Sequence, residues 1–369
     1  MKQMKFIYRF TIGTFLLLSL FACEKENNLL EEGEMLFLKN KGASMPILVR
    51  GNFDSDVILL FLHGGAGGTS ANHIEDFAGL VENEYLVAYW EQRHAGSAQG
   101  SFDKEDLSID QMAEDMQHAI SLLKHKYGAD KKVFAVGHSW GVILGTYYLI
   151  EQENQLAGAI FSNGAHSSEH EYSARMDYIR DFAQEMIDKG LSMSEPLSVG
   201  GEEFNSLADV VQWCDANDPI ASWDQLEIQV QLVGVVEAYV QETYFQRPDA
   251  IGNVSSRELN FQSPYNGIAA YINQLRTAQL INNFNNRTSI QEFYDFTPQM
   301  QEITLPICLI WGKYDPIVGL EVAEDYYEVI GTPESDKELV VLENSGHSGL
   351  YRENIAYSQS LIAFVEKHR

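Results

Sequence analysis

Residues 134–145 read FAVGHSWGVILG, an apolar run broken by Gly-His-Ser-Trp-Gly and resumed at once. An uninterrupted apolar run suits a strand buried on both faces, and the segment after the turn suits a helix. Similar runs, each stopped by glycine or polar residues, recur at VILLFLHGG, YLVAYWEQR, LAGAIFSNG, LPICLIWG and KELVVLENSG. Helical patterns lie between them. From Ser108, apolar residues at Ile109, Met112, Met116, Ile120 and Leu123 share one helical face. Ser108 and Gln111 have capping-box spacing, Lys124 and Lys126 suit the last turn, and Gly128 suits the stop. Residues 139–149 and 354–367 are also helical in pattern. Buried strands alternating with helices predict an α/β fold, a mostly parallel central sheet flanked on both sides by helices. Ahead of them, EMLFLKNKGASMPILVRG reads as two strands around a Gly turn.

The rhythm breaks between residues 165 and 300. EYSARMDYIRDFAQEMIDKG, LEIQVQLVGVVEAYVQETYF and YINQLRTAQLINNF are helical in pattern, with no clear strand between them. This predicts a helical cap inserted into a core formed by residues 34–164 and 301–369. With 369 residues and 45% apolar content, the chain can build a large core. The formal charge of −28 argues against a nucleic-acid partner, because no basic run beyond KHK and DKK follows residue 10. Of the cysteines, Cys214 and Cys308 read as free core residues, Cys308 within an apolar strand.

The first 22 residues form a separate object. Lys2, Lys5 and Arg9 precede the apolar stretch TIGTFLLLSLFA, as in a secretory signal peptide. The stretch is short for a membrane span, although an N-terminal anchor helix is the alternative. Leu20-Phe21-Ala22-Cys23 resembles a bacterial lipobox. That resemblance implies cleavage before Cys23, a lipid on its thiol, and a cell-envelope location with the lipid anchoring the protein to a membrane. Residues 23–33 would be the tether. Loss of residues 1–22 removes three positive charges and leaves about −31.

Gly137-His138-Ser139-Trp140-Gly141 matches the G-x-S-x-G nucleophile elbow, in the strand-turn-helix setting that the motif requires. Glycines flank such a turn because side chains there would strike neighbouring elements, and the serine hydroxyl lies near a helix N-terminus. A serine nucleophile needs a base, and the base an orienting carboxylate. IWGKYDPIV and LENSGHSGL each end a predicted strand, which hangs Asp315 and His347 from the same sheet edge as Ser139. The order Ser, Asp, His is that expected of the motif. His138 is an alternative base, and His166 and His170 could line the pocket. His73, His94, His118, His125 and His368 read as solvated. For the oxyanion, the N–H groups of Trp140 and of Gly65, in HGGAGG, are the candidate donors.

At these residues the chain resembles the α/β-hydrolases, most closely the proline iminopeptidase-like branch. HGGAGG is similar to that family's His-Gly-Gly-Pro-Gly loop, with Ala66 for Pro. EQRHAGSA is similar to its Asp-Gln-Arg-Gly-x-Gly-x-Ser segment, with Glu91 for Asp and His94 for Gly. GHSWG is similar to its Gly-Gly-Ser-Trp-Gly elbow. The resemblance spans about residues 45–165 and 300–365. It implies Ser139 as nucleophile, His347 as base, Asp315 as its partner, and no metal or organic cofactor. In that branch, cap glutamates often in a Trp-Glu setting hold the substrate ammonium. Here Trp213 and Trp223 are followed by Cys214 and Asp224, leaving Glu237 and Glu242 as candidate ammonium ligands. Either could equally be a solvated or structurally paired carboxylate.

The expected function is therefore hydrolysis of small esters, amides or N-terminal residues of short peptides through an acyl-enzyme. Carbon–carbon bond hydrolysis on the same scaffold, or a slow-turnover binding or sensing role, are the alternatives. Epoxide hydrolase and dehalogenase chemistry are disfavoured, since Ser139 stands where they need a carboxylate. Cys23→Ser should release the protein from the membrane fraction or leave the leader uncleaved. Unchanged fractionation together with an unchanged N-terminal mass would exclude lipidation, because the two or three acyl chains of such an anchor dominate membrane affinity.

Overall fold

In the computed structural model, the described residues are 33–65, 67–77, 79–100, 108–193, 195–244 and 294–369. The leader and tether thus lie almost wholly outside them. Strands are β1 (Gly33–Asn40), β2 (Ala43–Gly51), β3 (Val57–Leu62), β4 (Leu86–Trp90), β5 (Gln99–Gly100), β6 (Lys132–His138), β7 (Gly158–Ser162), β8 (Leu197–Val199), β9 (Glu202–Phe204), β10 (Ile307–Gly312) and β11 (Lys337–Leu342). The longer helices are α1 (Ile109–Tyr127), α2 (Trp140–Gln152), α3 (Ser168–Asp188), α4 (Leu207–Ala216), α5 (Trp223–Tyr244), α6 (Leu320–Val329) and α7 (Asn354–His368).

The main sheet runs β1-β2-β4-β3-β6-β7-β10-β11, with β5 paired to β2. The β1–β2 and β2–β4 pairs are antiparallel. From β4 onward every neighbouring pair is parallel. The apolar runs explain this arrangement. Along β3, Ile58, Leu60 and Leu62 enter one core with Met112, Met116, Ile120 and Leu123 of α1. Val57, Leu59 and Phe61 enter a second core with Leu361, Phe364 and Val365 of α7. Strands β6 and β10 alternate in the same way, with Ala135 and Leu309 on one face and Val136 and Cys308 on the other. A strand that must satisfy two apolar faces has no polar positions to spare, which is why these segments read as unbroken runs.

The α1 cap departs from its sequence expectation in one respect. Ser108 Oγ accepts from the Gln111 N–H at 3.2 Å, but the Gln111 side chain turns to Lys41 and Asp115. The described part of the insertion is largely helical, with its own apolar core containing Met176, Ile179, Phe204, Cys214 and Leu232, while the expected helix YINQLRTAQLINNF lies outside the described residues. Its SVGGEEF stretch, however, folds into the antiparallel β8–β9 hairpin. The expectation of no strand there missed it because each arm is only three residues long, too short to establish a period. Cys214 and Cys308 are free and buried. No helix among the described residues is long and apolar enough to cross a membrane.

One buried ion pair ties the N-terminal strands to the sheet. Arg93, just after β4, donates from Nε to Asp115 Oδ2 at 2.7 Å and from Nη2 to Oδ1 at 2.8 Å, and both side chains are fully buried. Asn40 at the end of β1 donates to the same carboxylate at 2.8 Å. Asp115→Ala would strand a guanidinium away from water. Urea denaturation should show a loss of about 3–5 kcal/mol, the range expected for breaking a buried pair from one side.

Candidate active site

Because β3, β4, β6, β7, β10 and β11 are parallel, their carboxyl ends share one edge, and the loops leaving them meet there. Ser139 follows β6 and precedes α2. Its backbone has φ 54° and ψ −120°, a conformation that L-residues avoid. The neighbours leave the turn no alternative. A methyl group on Gly141 would overlap the Leu62 carbonyl oxygen, and one on Gly137 would lie 2.8 Å from the Gly141 carbonyl oxygen. The Ser139 N–H is fixed to the Ser162 carbonyl of β7 at 2.9 Å.

The structure brings Ser139, His347 and Asp315 together. Ser139 Oγ lies 3.0 Å from His347 Nε2, and His347 Nδ1 lies 2.9 Å from Asp315 Oδ2. With Nδ1–H donating to the carboxylate, Nε2 is left to accept the serine proton. Asp315 is buried and fully engaged. Its Oδ2 also accepts from Asn163 Nδ2 at 2.8 Å, and its Oδ1 accepts from the N–H groups of Ile317 and Val318 at 2.8 and 3.0 Å. The loops after β10 and β11 are tied by Tyr314 N–H to the Ser345 carbonyl at 2.9 Å. Glu353 then holds Ser345 Oγ at 2.6 Å.

His138 does not meet the serine hydroxyl. It donates from Nε2 to the His347 carbonyl at 2.9 Å, and burial pushes its pKa down to about 3. It acts as a neutral brace under the loop that carries His347. His166 and His170 gather around Asp325 of α6. His118 and His125 are exposed as expected, and His368 is half-buried. The expectation of solvated histidines fails for His73 and His94, which are buried. His73 stacks between Phe61 and His138, at ring-centroid distances of 4.5 and 5.9 Å. Sequence periodicity could not place it, since it lies in a single short helical turn.

Gly64 lies against the elbow, and Gly65 follows it. A methyl on Gly64 would fall 3.0 Å from Ser139 Cβ, and Gly65 has φ 52°. Trp140 is the first residue of α2, so its N–H is one of the unpaired donors of the helix start. Ala66 lies outside the described residues. Glu237 and Glu242 fall within α5, with their side chains outside the described part.

Reading the sequence missed the polar layer beneath these loops. Gln92 accepts from Trp140 Nε1 at 3.0 Å, donates to the His63 carbonyl at 3.1 Å, and donates its N–H to His63 Nε2 at 3.2 Å. Nδ1–H of His63 in turn faces the Gly64 carbonyl at 3.1 Å. Burial pushes the His63 pKa down to about 4, which keeps the acceptor nitrogen free. One glutamine thus braces both candidate donor loops. Glu91 Oε1 accepts from the Thr69 hydroxyl at 2.7 Å and from the Ser70 N–H at 3.1 Å, and it is buried. The one available hint was position: Glu91, Gln92 and Arg93 directly follow a fully buried strand, and all three are buried. Asn163, directly after β7, has φ 53°, a left-handed conformation that Asn tolerates better than most residues.

Among the described residues, one group of His, Cys, Asp or Glu has metal-compatible spacing, namely His166, His170 and Asp325. It shares no side chain with the Ser139–His347–Asp315 array.

A mostly parallel sheet with a serine on a strained strand-to-helix turn, facing a histidine and an aspartate from later strand ends, defines a class of hydrolytic enzymes. The chain belongs to the alpha/beta hydrolase fold family, which matches it over residues 57–353, and it is a hydrolase. It is similar to the proline iminopeptidase of Saccharolobus solfataricus, at 25% identity over 318 residues and 84% of each chain. It is also similar to a probable aminopeptidase of Bacillus subtilis, at 22% identity over 87% of this chain and 93% of the other. In fold it resembles the crystal structure of a Mycobacterium smegmatis proline iminopeptidase, with a TM-score of 0.61 and 13% identity over 91% and 98% of the two chains.

Burial raises the Glu91 pKa to about 7, against the opposing pull of its hydrogen bonds to Thr69 and to the backbone. The folded state therefore holds this proton more tightly than the unfolded chain. Its contribution to stability is greatest below about pH 4.5 and is lost as pH rises toward 7. Glu91→Gln stays neutral throughout. Its stability relative to wild type should rise between pH 5 and 8, as measured by urea midpoints across that range.

Proposed function

We propose that the chain is a serine hydrolase acting on small esters, amides or N-terminal residues of short peptides, with Ser139 as nucleophile, His347 as base and Asp315 as its orienting acid. The observation that carries this reading is the continuous hydrogen-bond chain from Ser139 Oγ through His347 to a buried, four-fold hydrogen-bonded Asp315. In the first step, His347 Nε2 takes the Ser139 proton as Oγ attacks the substrate carbonyl carbon. The oxyanion so formed is received by the N–H groups of Trp140 and Gly65. His347 then protonates the departing alcohol or amine, leaving an acyl-serine. Water enters, gives a proton to His347 and attacks the acyl carbon. Collapse of that second oxyanion releases the acid and returns the proton to Ser139. Asp315 stabilises the imidazolium in both halves.

The similarity to aminopeptidases favours substrates with a free amine, for which a cap carboxylate, Glu237 or Glu242, would pair with the ammonium. The leader ending in Leu-Phe-Ala-Cys supports placing the enzyme at the cell envelope on a lipid anchor at Cys23.

Ser139→Ala should lower kcat by roughly 10⁴- to 10⁶-fold without changing the melting temperature by more than a few degrees, and Asp315→Asn should cost about 10⁴-fold or less. A Ser139→Ala protein with wild-type turnover would overturn the nucleophile assignment. Substrate class is decided by comparing one acyl group with its amine free and capped. Preference for the free amine, lost by about 30-fold in Glu237→Gln or Glu242→Gln, supports an aminopeptidase. Equal or faster hydrolysis of the capped substrate makes it an esterase or amidase.

A further inference from the structure

The cap leaves and rejoins the core at one place. Ser167 and Asp295 pair as an antiparallel bridge. The Phe296 N–H donates to the His166 carbonyl at 2.9 Å, and the Ser168 N–H donates to the Tyr294 carbonyl at 2.9 Å. Over this junction, His166 at the cap entry and His170 in the first turn of α3 converge on Asp325 of α6. His166 Nε2 lies 2.8 Å from Asp325 Oδ2, and His170 Nδ1 lies 2.6 Å from the same oxygen.

Hydrogen bonding alone accounts poorly for this cluster. His170 is aligned for a hydrogen bond to Asp325, but His166 is not. Neither ring nitrogen of His166 has a hydrogen-bond partner among the described residues, although the residue is completely buried. Its Nε2 meets the Asp325 carboxylate out of hydrogen-bond alignment and its Nδ1 has no hydrogen-bond partner, so its lost hydration is only partly compensated. Its ring is held in place by Tyr326, edge-on at 5.2 Å, and Tyr326 is itself anchored to Thr146 at 2.8 Å.

We propose that His166, His170 and Asp325 form a structural site for a zinc-like divalent cation that fastens the entry of the cap to helix α6 of the core. The donor atoms lie within 4.8 Å of one another. Two imidazoles and one carboxylate suit zinc, whereas calcium and magnesium require shells of oxygen. In tetrahedral zinc sites, bond lengths of about 2.0–2.1 Å separate the donor atoms by about 3.3 Å. The two contacts to Asp325 Oδ2 are shorter than that, so binding would open the cluster by about half an ångström. Asp325 and His170 can supply that movement, since their side chains are 33% and 45% exposed, while His166 stays fixed. A solvent water would fill the fourth position. The site is separate from the serine chemistry, so it stands or falls independently of the proposed hydrolase mechanism.

The test uses the full-length chain in detergent, freed of metal with a chelator and titrated with Zn(II) by calorimetry and with Co(II) by visible absorption. Wild type should take up one equivalent of Zn(II), show Co(II) bands of a His-carboxylate site, and gain melting temperature with added Zn(II). His170→Gln and Asp325→Asn change an exposed and a half-buried group and should fold normally by circular dichroism. Both should weaken Zn(II) binding by more than about tenfold and lose the Zn(II)-dependent rise in melting temperature. His347→Ala should bind as wild type does. Absence of stoichiometric uptake, uptake unchanged in His170→Gln and Asp325→Asn, or uptake abolished by His347→Ala would each overturn the proposal.

Discussion

The contact between the backbone at Gly141 and the Leu62 carbonyl governs the site. It presses the start of α2 against the end of β3, with no room for a side chain between them. That proximity forces Ser139 into its unfavourable backbone conformation and turns its hydroxyl out over the sheet edge. The same approach sets the distance between the elbow and the loop carrying Gly64 and Gly65. The cost of the strain is met by the two cores that clamp β3 and β6 from either face, in which nearly every side chain is excluded from water.

Much of this was legible in the sequence, and for a definite reason. A strand buried on both faces can contain almost no polar residue, so β3, β6, β7 and β10 announced themselves as runs. Parallel strands then put every strand-to-helix loop on one edge, which is why Ser139, Asp315 and His347 could be grouped without coordinates. The same physics hid the remainder. The β8–β9 hairpin is too short to have a period. His73 and His94 are polar residues in turns, and sequence pattern alone reads those as solvated, whereas here both side chains are buried.

The buried polar layer was the largest omission. His63, Glu91, Gln92 and Asn163 lie beneath the site and touch one another or its loops through directed hydrogen bonds. Each is the residue immediately following an apolar strand, or within three positions of one. At such positions the chain has left the sheet but not yet reached solvent. Polar residues there must be paired, and the partners available are the backbone groups of neighbouring loops. Their role is to fix loop shape, so their types follow the geometry of the turns above them and carry no signature of their own.

Arg175 of the cap helix α3 donates from Nε to the Ile317 carbonyl at 3.0 Å, and the Ile317 N–H is one of the groups that hold Asp315. A single residue of the loop after β10 thus faces the cap on one side and the Asp315 carboxylate on the other. The insertion is consequently not a detachable module. Exchanging it for that of a relative would unfasten the loop that holds Asp315 unless the arginine, or an equivalent donor, travelled with it.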